Sequence, residues 1–247
     1  MRTVTAALAL LFAFSSLAAA AEIKVIGSPG FREAYSDLIP AFEKATGNKV
    51  RTTWGGVNEI AKRVAGGESA DIVILPVAQI DELIRQGKLV ADSKVDVAKS
   101  GIGVAVRSGL PRIDTSSGEA VKKAMLSAKS IAYSTGPSGI HIGELIEAWG
   151  IAEQVKRKIV ISPPDTPVGV MLARGQADLG FQQVSELIRV KGIDYLGPLP
   201  TDVQEVTVFA AVLHKAATSP DAAKALLKFL GSPAAAPVIR KTGMEPG

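Results

Sequence analysis

The sequence predicts a chain folded into two α/β lobes that are joined by two crossing strands. Short apolar segments of strand length alternate with amphipathic segments of helix length along most of the chain. The strand segments are almost continuously apolar, which is typical of parallel strands covered by helices on both faces. The alternation is interrupted once, by a long extended segment at residues 99–109, and a second series of strands and helices follows.

The first 21 residues have the composition of a secretory signal and not of a folded domain. Arg2 makes the start basic, residues 4–14 are largely apolar, and small residues precede Glu22. An apolar run this short does not span a bilayer, and this order of basic, apolar and small residues is that of a cleavable signal peptide. We therefore expect residues 1–21 to be removed, leaving a periplasmic protein without a membrane anchor.

The first lobe is predicted from three pairs of a strand and a helix. The first helix carries its aromatic and aliphatic residues on one face and ends at Gly47. The two following pairs repeat the pattern. The predicted strands are residues 22–27, 49–55 and 70–76, and the predicted helices are residues 31–47, 57–67 and 78–89.

The second lobe is predicted to follow the extended segment and a Pro/Ser-rich stretch at residues 110–118. Its predicted helices are residues 119–128, 142–150 and 168–176, and its predicted strands are residues 129–134, 158–163 and 178–183.

The extended segment at residues 206–214 and the helical segment at residues 221–243 have no sheet of their own, so we expect them to return to the first lobe. The expected hinges are residues 101–106 and 205–210. The expected lobes are residues 22–102 with 206–247, and residues 103–205.

Composition excludes several classes of protein. The net charge is +4, but positive and negative residues are interleaved and no basic run contains aromatics, so nucleic acid is not expected as a partner. The absence of cysteine rules out disulfides and thiol chemistry. Neither a nucleotide-binding motif nor an Asp/Glu/His cluster with metal-site spacing is found. We expect a monomer with no metal and no cofactor.

Four strand-to-helix turns are candidates for one shared site. In open α/β sheets a ligand lies at the carboxyl ends of the strands, which here face each other between the lobes. Small residues in such turns leave backbone N–H donors uncovered at the positive end of a helix, where an anion is stabilised. The turns are residues 27–31 (GSPGF), 53–58 (TWGGVN), 133–141 (YSTGPSGIH) and 162–169 (SPPDTPVG).

Structural roles explain these turns equally well. Ser28 is a preferred helix-capping residue, and so are Asp165 and Thr166, which precede a proline suited to the first helical position. Trp54 fits either the wall of a cleft or the core. His141 fits either a ligand contact or a solvated helix position.

Three further observations concern polar residues outside the turns. His214, which follows an apolar strand, is expected at the surface or at a hinge. Arg32 and Arg63 fit either binding of a ligand carboxylate or a solvated position on a helix.

Two adjacent amides end the last strand of the second lobe. An amide both donates to a carboxylate and accepts from a hydroxyl. Because neighbouring side chains on a strand point to opposite faces, one of Gln182 and Gln183 should face the cleft.

Several segments resemble the periplasmic molybdate-binding protein family, over nearly the whole mature chain. They include AFEKATGNKV, GGESADIVI, RGQADLG and FLGSPAAAPV. The resemblance implies a type II periplasmic-binding fold, in which two lobes close on a ligand that is passed to an ABC importer.

The resemblance is weaker at the ligand positions. Members that bind molybdate carry two serines and a tyrosine at the ligand. In this chain the first serine position is Gly30, the second falls near Val57 and Asn58, and the tyrosine position is Gln183. The match survives at residues 137–139. This amide-rich version is similar to a subgroup of the family that includes aconitate isomerase, a resemblance that implies an organic polycarboxylate as ligand or substrate.

We therefore expect a periplasmic solute-binding protein that captures a small anion, best fitted by an organic di- or tricarboxylate, for an ABC importer. Two alternatives stay open. One is a periplasmic aconitate isomerase, which moves an allylic proton with His141 as the catalytic group. The other is a protein that binds molybdate or tungstate. The expected ligand-binding residues are Ser28, Gly30, Phe31, Trp54, Gly55, Asn58, Ser134, Ser138, Gly139, Thr166, Val168, Gln182 and Gln183.

Overall fold

Residues 20–163 and 166–247 are described by the computed structural model. Residues 1–19 of the expected signal peptide and the expected helix cap at Asp165 lie outside these ranges. Within the described part of the chain, no helix combines the length and the apolar character that crossing a membrane requires.

In the part of the chain that the structure describes, ten strands form the sheet. They are β1 (Glu22–Gly27), β2 (Lys49–Trp54), β3 (Ile72–Pro76), β4 (Val95–Arg107), β5 (Ile131–Tyr133), β6 (Ile159–Ile161), β7 (Leu179–Gln183), β8 (Ile193–Pro198), β9 (Val206–Leu213) and β10 (Glu245–Pro246). The helices are α1 (Arg32–Thr46), α2 (Val57–Ala65), α3 (Val77–Arg85), α4 (Gly118–Ser127), α5 (Pro137–Ala148), α6 (Ala152–Val155), α7 (Val168–Ala173), α8 (Val184–Leu187), α9 (Pro220–Leu230) and α10 (Ala236–Lys241).

The strand order is β2-β1-β3-β9-β4-β7-β5-β6, with β8 and β10 also paired to β4. As predicted, the strands of the βαβ units are parallel: β1 lies between β2 and β3, and β5 lies between β6 and β7. The long strand β4 and strand β9 run antiparallel to their neighbours. Strand β4 therefore links a first half of the sheet to a second half.

The register of β4 supports the lobe boundaries that we propose, residues 102/103 and 205/206. Up to Gly101 this strand pairs with β9, where Gly101 is opposite Val206. From Ile102 onward it pairs with β7, where Ile102 is opposite Gln183. The change of partner between Gly101 and Ile102, one residue before the proposed boundary, supports a passage between the lobes near this place.

Helices cover both faces of each half of the sheet. In β3, Ile72 and Ile74 pack with α1, α9 and α10, whereas Val73 and Leu75 pack with α2 and α3. The second half has α4 and α5 on one face and α7 and α8 on the other. Alternating side chains of a strand thus enter two separate cores, which explains why the strands are apolar at nearly every position.

Two predicted features of this part of the chain are wrong. The helix expected at residues 221–243 is two helices, α9 and α10, with Pro233 between them, which lacks a backbone N–H and disfavours helical backbone at Ser232. Gly231, directly after α9, lies against Val95, where an added Cβ would be 2.4 Å from the valine side chain. His214 is buried, not at the surface; its backbone N–H donates to Asp71 O and its Nδ1 accepts from Ala216 N. Strand β8 was not predicted.

Candidate functional site

A cavity of about 260 Å³ is lined by residues of both lobes. Its volume lies just below the range of roughly 300–1,000 Å³ that is usual for drug-sized ligands, so it suits a small metabolite. All four predicted strand-to-helix turns contribute to its walls. Of the residues expected to bind ligand, the structure brings together Ser28, Gly30, Trp54, Gly55, Ser134, Ser138, Thr166, Gln182 and Gln183.

Two long helices begin at this cavity, one from each lobe. Helix α2 is preceded by Gly56 and helix α5 by Gly136, and neither start has a side-chain cap. The first backbone N–H groups of a helix have no partner within the helix. The positive ends of both helix dipoles therefore point towards the site and favour a negatively charged ligand.

The turn before α5 depends on one glycine. A Cβ atom built on Gly139 would lie 1.6 Å from the carbonyl oxygen of Ser134. The Ser134 hydroxyl in turn accepts a hydrogen bond from Gly136 N at 3.3 Å. Gly139 itself does not line the cavity; its missing side chain lets the Ser134 backbone approach the helix closely.

We expect Gly139→Ala to destabilise the protein by about 1–3 kcal/mol, because the turn must move to admit the methyl group. Gly143→Ala, on the same helix, is the matched control. A Cβ at Gly143 meets nothing within 4 Å, so alanine should stabilise the helix by up to about 1 kcal/mol. Thermal unfolding of the two variants measures the difference, and equal shifts would contradict the close approach.

Two buried polar atoms at the cavity have no hydrogen-bond partner among the described residues. They are the Ser28 hydroxyl oxygen and Gln182 Oε1. Ser28 is fully buried and Gln182 nearly so. Because an unsatisfied buried polar atom costs about 1–3 kcal/mol, a hydrogen bond from a bound ligand to either atom would be favourable.

Gln183 is satisfied by the fold, in contrast to Gln182. Its amide oxygen accepts from the Thr207 hydroxyl at 2.9 Å, and its nitrogen lies 3.1 Å from Ser100 O and 3.2 Å from Gly101 O. These partners lie on β9 and β4, so Gln183 joins β7 to both crossing strands. The acceptor that is left for a ligand at this strand end belongs to Gln182.

Among the described residues, three charged side chains line the cavity: Arg32, Glu59 and Glu186. The Arg32 guanidinium lies over Trp54, 5.3 Å from the ring centroid, and has no carboxylate partner among the described residues. Glu59 is already paired with Arg63 at 3.1 Å.

Glu186 has a raised pKa and lies next to Gln182. Its Oε1 accepts a hydrogen bond from Gln182 Nε2 at 2.8 Å. Burial raises the pKa of Glu186 to about 7, while Arg32 lowers it and Glu33 raises it further.

The sequence left open whether Arg32 binds a ligand carboxylate or is solvated on a helix, and it did not indicate Glu59 or Glu186. Glu186 stands in the segment GFQQVSE, three residues after Gln183. Its approach to the strand end depends on helix α8 starting directly after β7, and the short segment gives no periodic signal for such a helix.

Besides Gly139, four residues expected at the ligand or catalytic site do not line the cavity. Phe31 and Val168 are fully buried in separate cores, and Asn58 is exposed on α2. The ring of His141 faces away from the cavity: Nε2 lies 2.8 Å from Val203 O and Nδ1 lies 2.8 Å from Glu205 Oε2. Helix periodicity places these side chains on the faces of their helices that do not meet the cleft.

Comparison with known proteins gives a consistent family assignment. Residues 23–245 match the family described as bacterial extracellular solute-binding protein. An aconitate isomerase from a Pseudomonas species is 36% identical, over 96% of this chain and 94% of that protein. The molybdate-binding protein ModA of Azotobacter vinelandii is 28% identical, over 92% of this chain and 90% of ModA.

The solved structures confirm the predicted fold class. The periplasmic molybdate-binding protein of Azotobacter vinelandii superimposes with a TM-score of 0.78 at 20% identity, covering 91% of this chain and 99% of that one. It has the type II periplasmic-binding fold that the sequence resemblance implies. The chain therefore belongs to the bacterial extracellular solute-binding protein family, among its molybdate-binding-like periplasmic members.

Proposed function

We propose that this protein captures a small organic di- or tricarboxylate in the cavity between its lobes. The observation that carries the proposal is the combination of Arg32, which has no ion-pair partner among the described residues, with the uncapped starts of α2 and α5. Together they offer an anion one full positive charge and several backbone donors. Trp54 and Phe209 add apolar wall, which suits a carbon skeleton.

The remaining polar groups favour an organic acid over a metal oxyanion. Gln182 Oε1 needs a donor, and Glu186 is a second acidic group in the same cavity. Molybdate and tungstate present only oxygen acceptors and no apolar surface, so they match neither Gln182 Oε1 nor the wall formed by Trp54 and Phe209. A di- or tricarboxylate carries its charges on separate carbons, so one carboxylate can meet Arg32 while the carbon skeleton lies against Trp54 and Phe209.

Delivery of the ligand to an ABC importer and a periplasmic location, reached through a cleavable signal peptide, are part of the proposal. Membership of the solute-binding family supports both. The small anion is the proposed partner.

Isomerisation of aconitate is the second candidate function. The presence in the cavity of Glu186, whose pKa lies near neutrality, favours it, and so does the 36% identity to an aconitate isomerase. The two functions share one ligand class, so binding is tested first.

Titration calorimetry with trans-aconitate, citrate, tricarballylate and molybdate tests the ligand class. We expect at least one tricarboxylate to bind and molybdate to bind far more weakly. Sub-micromolar binding of molybdate, without binding of a carboxylate, would contradict the proposal.

Ser28→Ala tests whether the buried hydroxyl holds the ligand. Its loss should weaken binding of the best tricarboxylate about 5- to 150-fold, since the ligand loses a partner worth about 1–3 kcal/mol. Ser127→Ala, at an exposed position at the end of α4, is the control and should bind with unchanged affinity. Equal affinity of the two variants would remove Ser28 from the site.

A further inference from the structure

We infer that Glu186, held by Gln182, is the group that takes a proton from the carbon skeleton of the bound tricarboxylate and returns it. This inference rests on the proposed ligand class and adds a catalytic residue on α8 to the site. It assigns to Glu186 the role that the sequence suggested for His141.

The geometry leaves one oxygen of Glu186 available at the cavity. Oε1 accepts from Gln182 Nε2 at 2.8 Å, while Oε2 has no hydrogen-bond partner among the described residues. The neighbouring Ser185 hydroxyl donates to Gly30 O at 2.7 Å, which fixes α8 against the first lobe. The Gln182 bond therefore orients the side chain, and the Ser185 bond fixes the helix that carries it.

The charges around Glu186 leave it able to exist in both protonation states. Arg32 favours its carboxylate form and Glu33 its protonated form. Glu33 is itself 3.6 Å from Arg189, which also pairs with Asp37 at 2.7 Å, so its repulsion is partly neutralised. With burial added, the pKa of about 7 matches the working range of a general base at neutral pH.

The reaction needs no cofactor. The Glu186 carboxylate removes a proton from the CH₂ carbon of trans-aconitate, and the C–H electron pair forms the new C=C bond as the old one passes into the neighbouring carboxylate. Protonated Glu186 then donates the proton to the carbon at the far end of the allylic unit. The electron pair held by that carboxylate returns to this carbon and forms the new C–H bond. The double bond has then moved by one carbon, the charge of the ligand is unchanged, and nothing is oxidised or reduced.

His141 lacks the geometry for this role. Its two ring nitrogens lie 2.8 Å from Val203 O and from Glu205 Oε2, and it is not among the residues that line the cavity. A base has to reach the proton that it removes, at about 2.6–3.2 Å between heavy atoms or through one water. Glu186 is the cavity carboxyl without an ion-pair partner among the described residues, since Glu59 pairs with Arg63.

The test is incubation of the protein with trans-aconitate in deuterated water, followed by proton NMR. The wild-type protein should form cis-aconitate and exchange the CH₂ protons for deuterium. Glu186→Gln should slow both reactions about 10²- to 10⁴-fold, the usual contribution of a general acid–base group, and should still bind trans-aconitate in calorimetry. Glu153→Gln, an exposed carboxylate on α6, is the matched control and should react as the wild type does.

The rate should also rise with pH and level off above about 7, because the carboxylate is the form that abstracts the proton. A rate that falls across this range would overturn the assignment, as would undiminished turnover in Glu186→Gln. Binding of trans-aconitate by the wild type without exchange or isomerisation would overturn the catalytic role and leave the proposed ligand intact. Absence of binding by any tricarboxylate would overturn this inference, and absence of binding by any di- or tricarboxylate would overturn the proposed function as well.

Discussion

Replacement of Asp71 by alanine is expected to lower the free energy of unfolding by about 3–5 kcal/mol, the usual cost of removing one member of a buried, hydrogen-bonded charged group. Asp71 is fully buried at the entrance to β3. Its Oδ2 accepts from Lys24 N at 2.7 Å, and its Oδ1 accepts from Thr218 N at 2.6 Å and Ser219 N at 2.8 Å. This carboxylate therefore joins β1 to the segment before α9, and its loss leaves three backbone N–H groups without a partner.

The midpoint of thermal unfolding should fall by roughly 6–20 °C in Asp71→Ala, from the usual shift of about 2–4 °C per kcal/mol for a domain of this size. Asp92→Ala, at an exposed position, is the control and should stay within about 0.5 kcal/mol of the wild type. Because Asp71 does not line the cavity, folded Asp71→Ala protein should keep its ligand affinity. A loss of less than 1 kcal/mol would show that water replaces the carboxylate.

Replacement of Glu186 by glutamine is expected to change how stability depends on pH. The pKa of Glu186 is raised from 4.5 to about 7 in the folded protein, chiefly by burial. Between these two values the folded state binds more protons than the unfolded state, so the wild-type protein loses stability as the pH rises. The loss amounts to about 3 kcal/mol and is complete above pH 7, at about 1.4 kcal/mol per unit of pKa difference.

Glutamine carries no titrating proton, so this loss is absent from Glu186→Gln. The stability of the variant relative to that of the wild type should therefore increase from pH 4.5 to pH 8. Urea unfolding of ligand-free protein at several pH values measures this difference, and Glu153→Gln, exposed on α6, should show none. A flat difference would mean that Glu186 is solvated in the folded protein. A carboxyl group that destabilises the free protein is common at sites that trade stability for activity.

Local sequence patterns predicted most of the fold because each βαβ unit is built from neighbouring residues. Alternating apolar segments located strands such as β1 and β3, and a glycine located the end of α1. The failures have non-local causes. The chain after α9 packs so closely against Val95 that residue 231 has no room for a Cβ, and β8 forms by pairing with β4.

The segments that most resemble known proteins carry structural residues. Asp71 lies in GGESADIVI, and Asp178 lies in RGQADLG, where its Oδ1 accepts from Arg107 Nε at 3.1 Å. Both carboxylates hold the fold together and neither lines the cavity. These segments therefore predict the family and the fold well, and they carry no information about the ligand.

The sequence by itself determined the order of most elements and the four turns that meet at the cleft, because these follow from periodicity, turn chemistry and helix starts. The family was indicated by the resemblance of several segments to molybdate-binding proteins. Only the tertiary structure decided which side chains face the ligand. The hydrogen-bonding groups of Gln183 are satisfied by Ser100, Gly101 and Thr207. The ring of His141 contacts Val203 and Glu205. Glu186 lies in the cavity beside Gln182. These partners are distant in sequence from the residues they hold, with the exception of Gln182 and Glu186. Burial and hydrogen bonding depend on how the chain packs, so the local sequence does not predict the raised pKa of Glu186 or the unpaired Oε1 of Gln182.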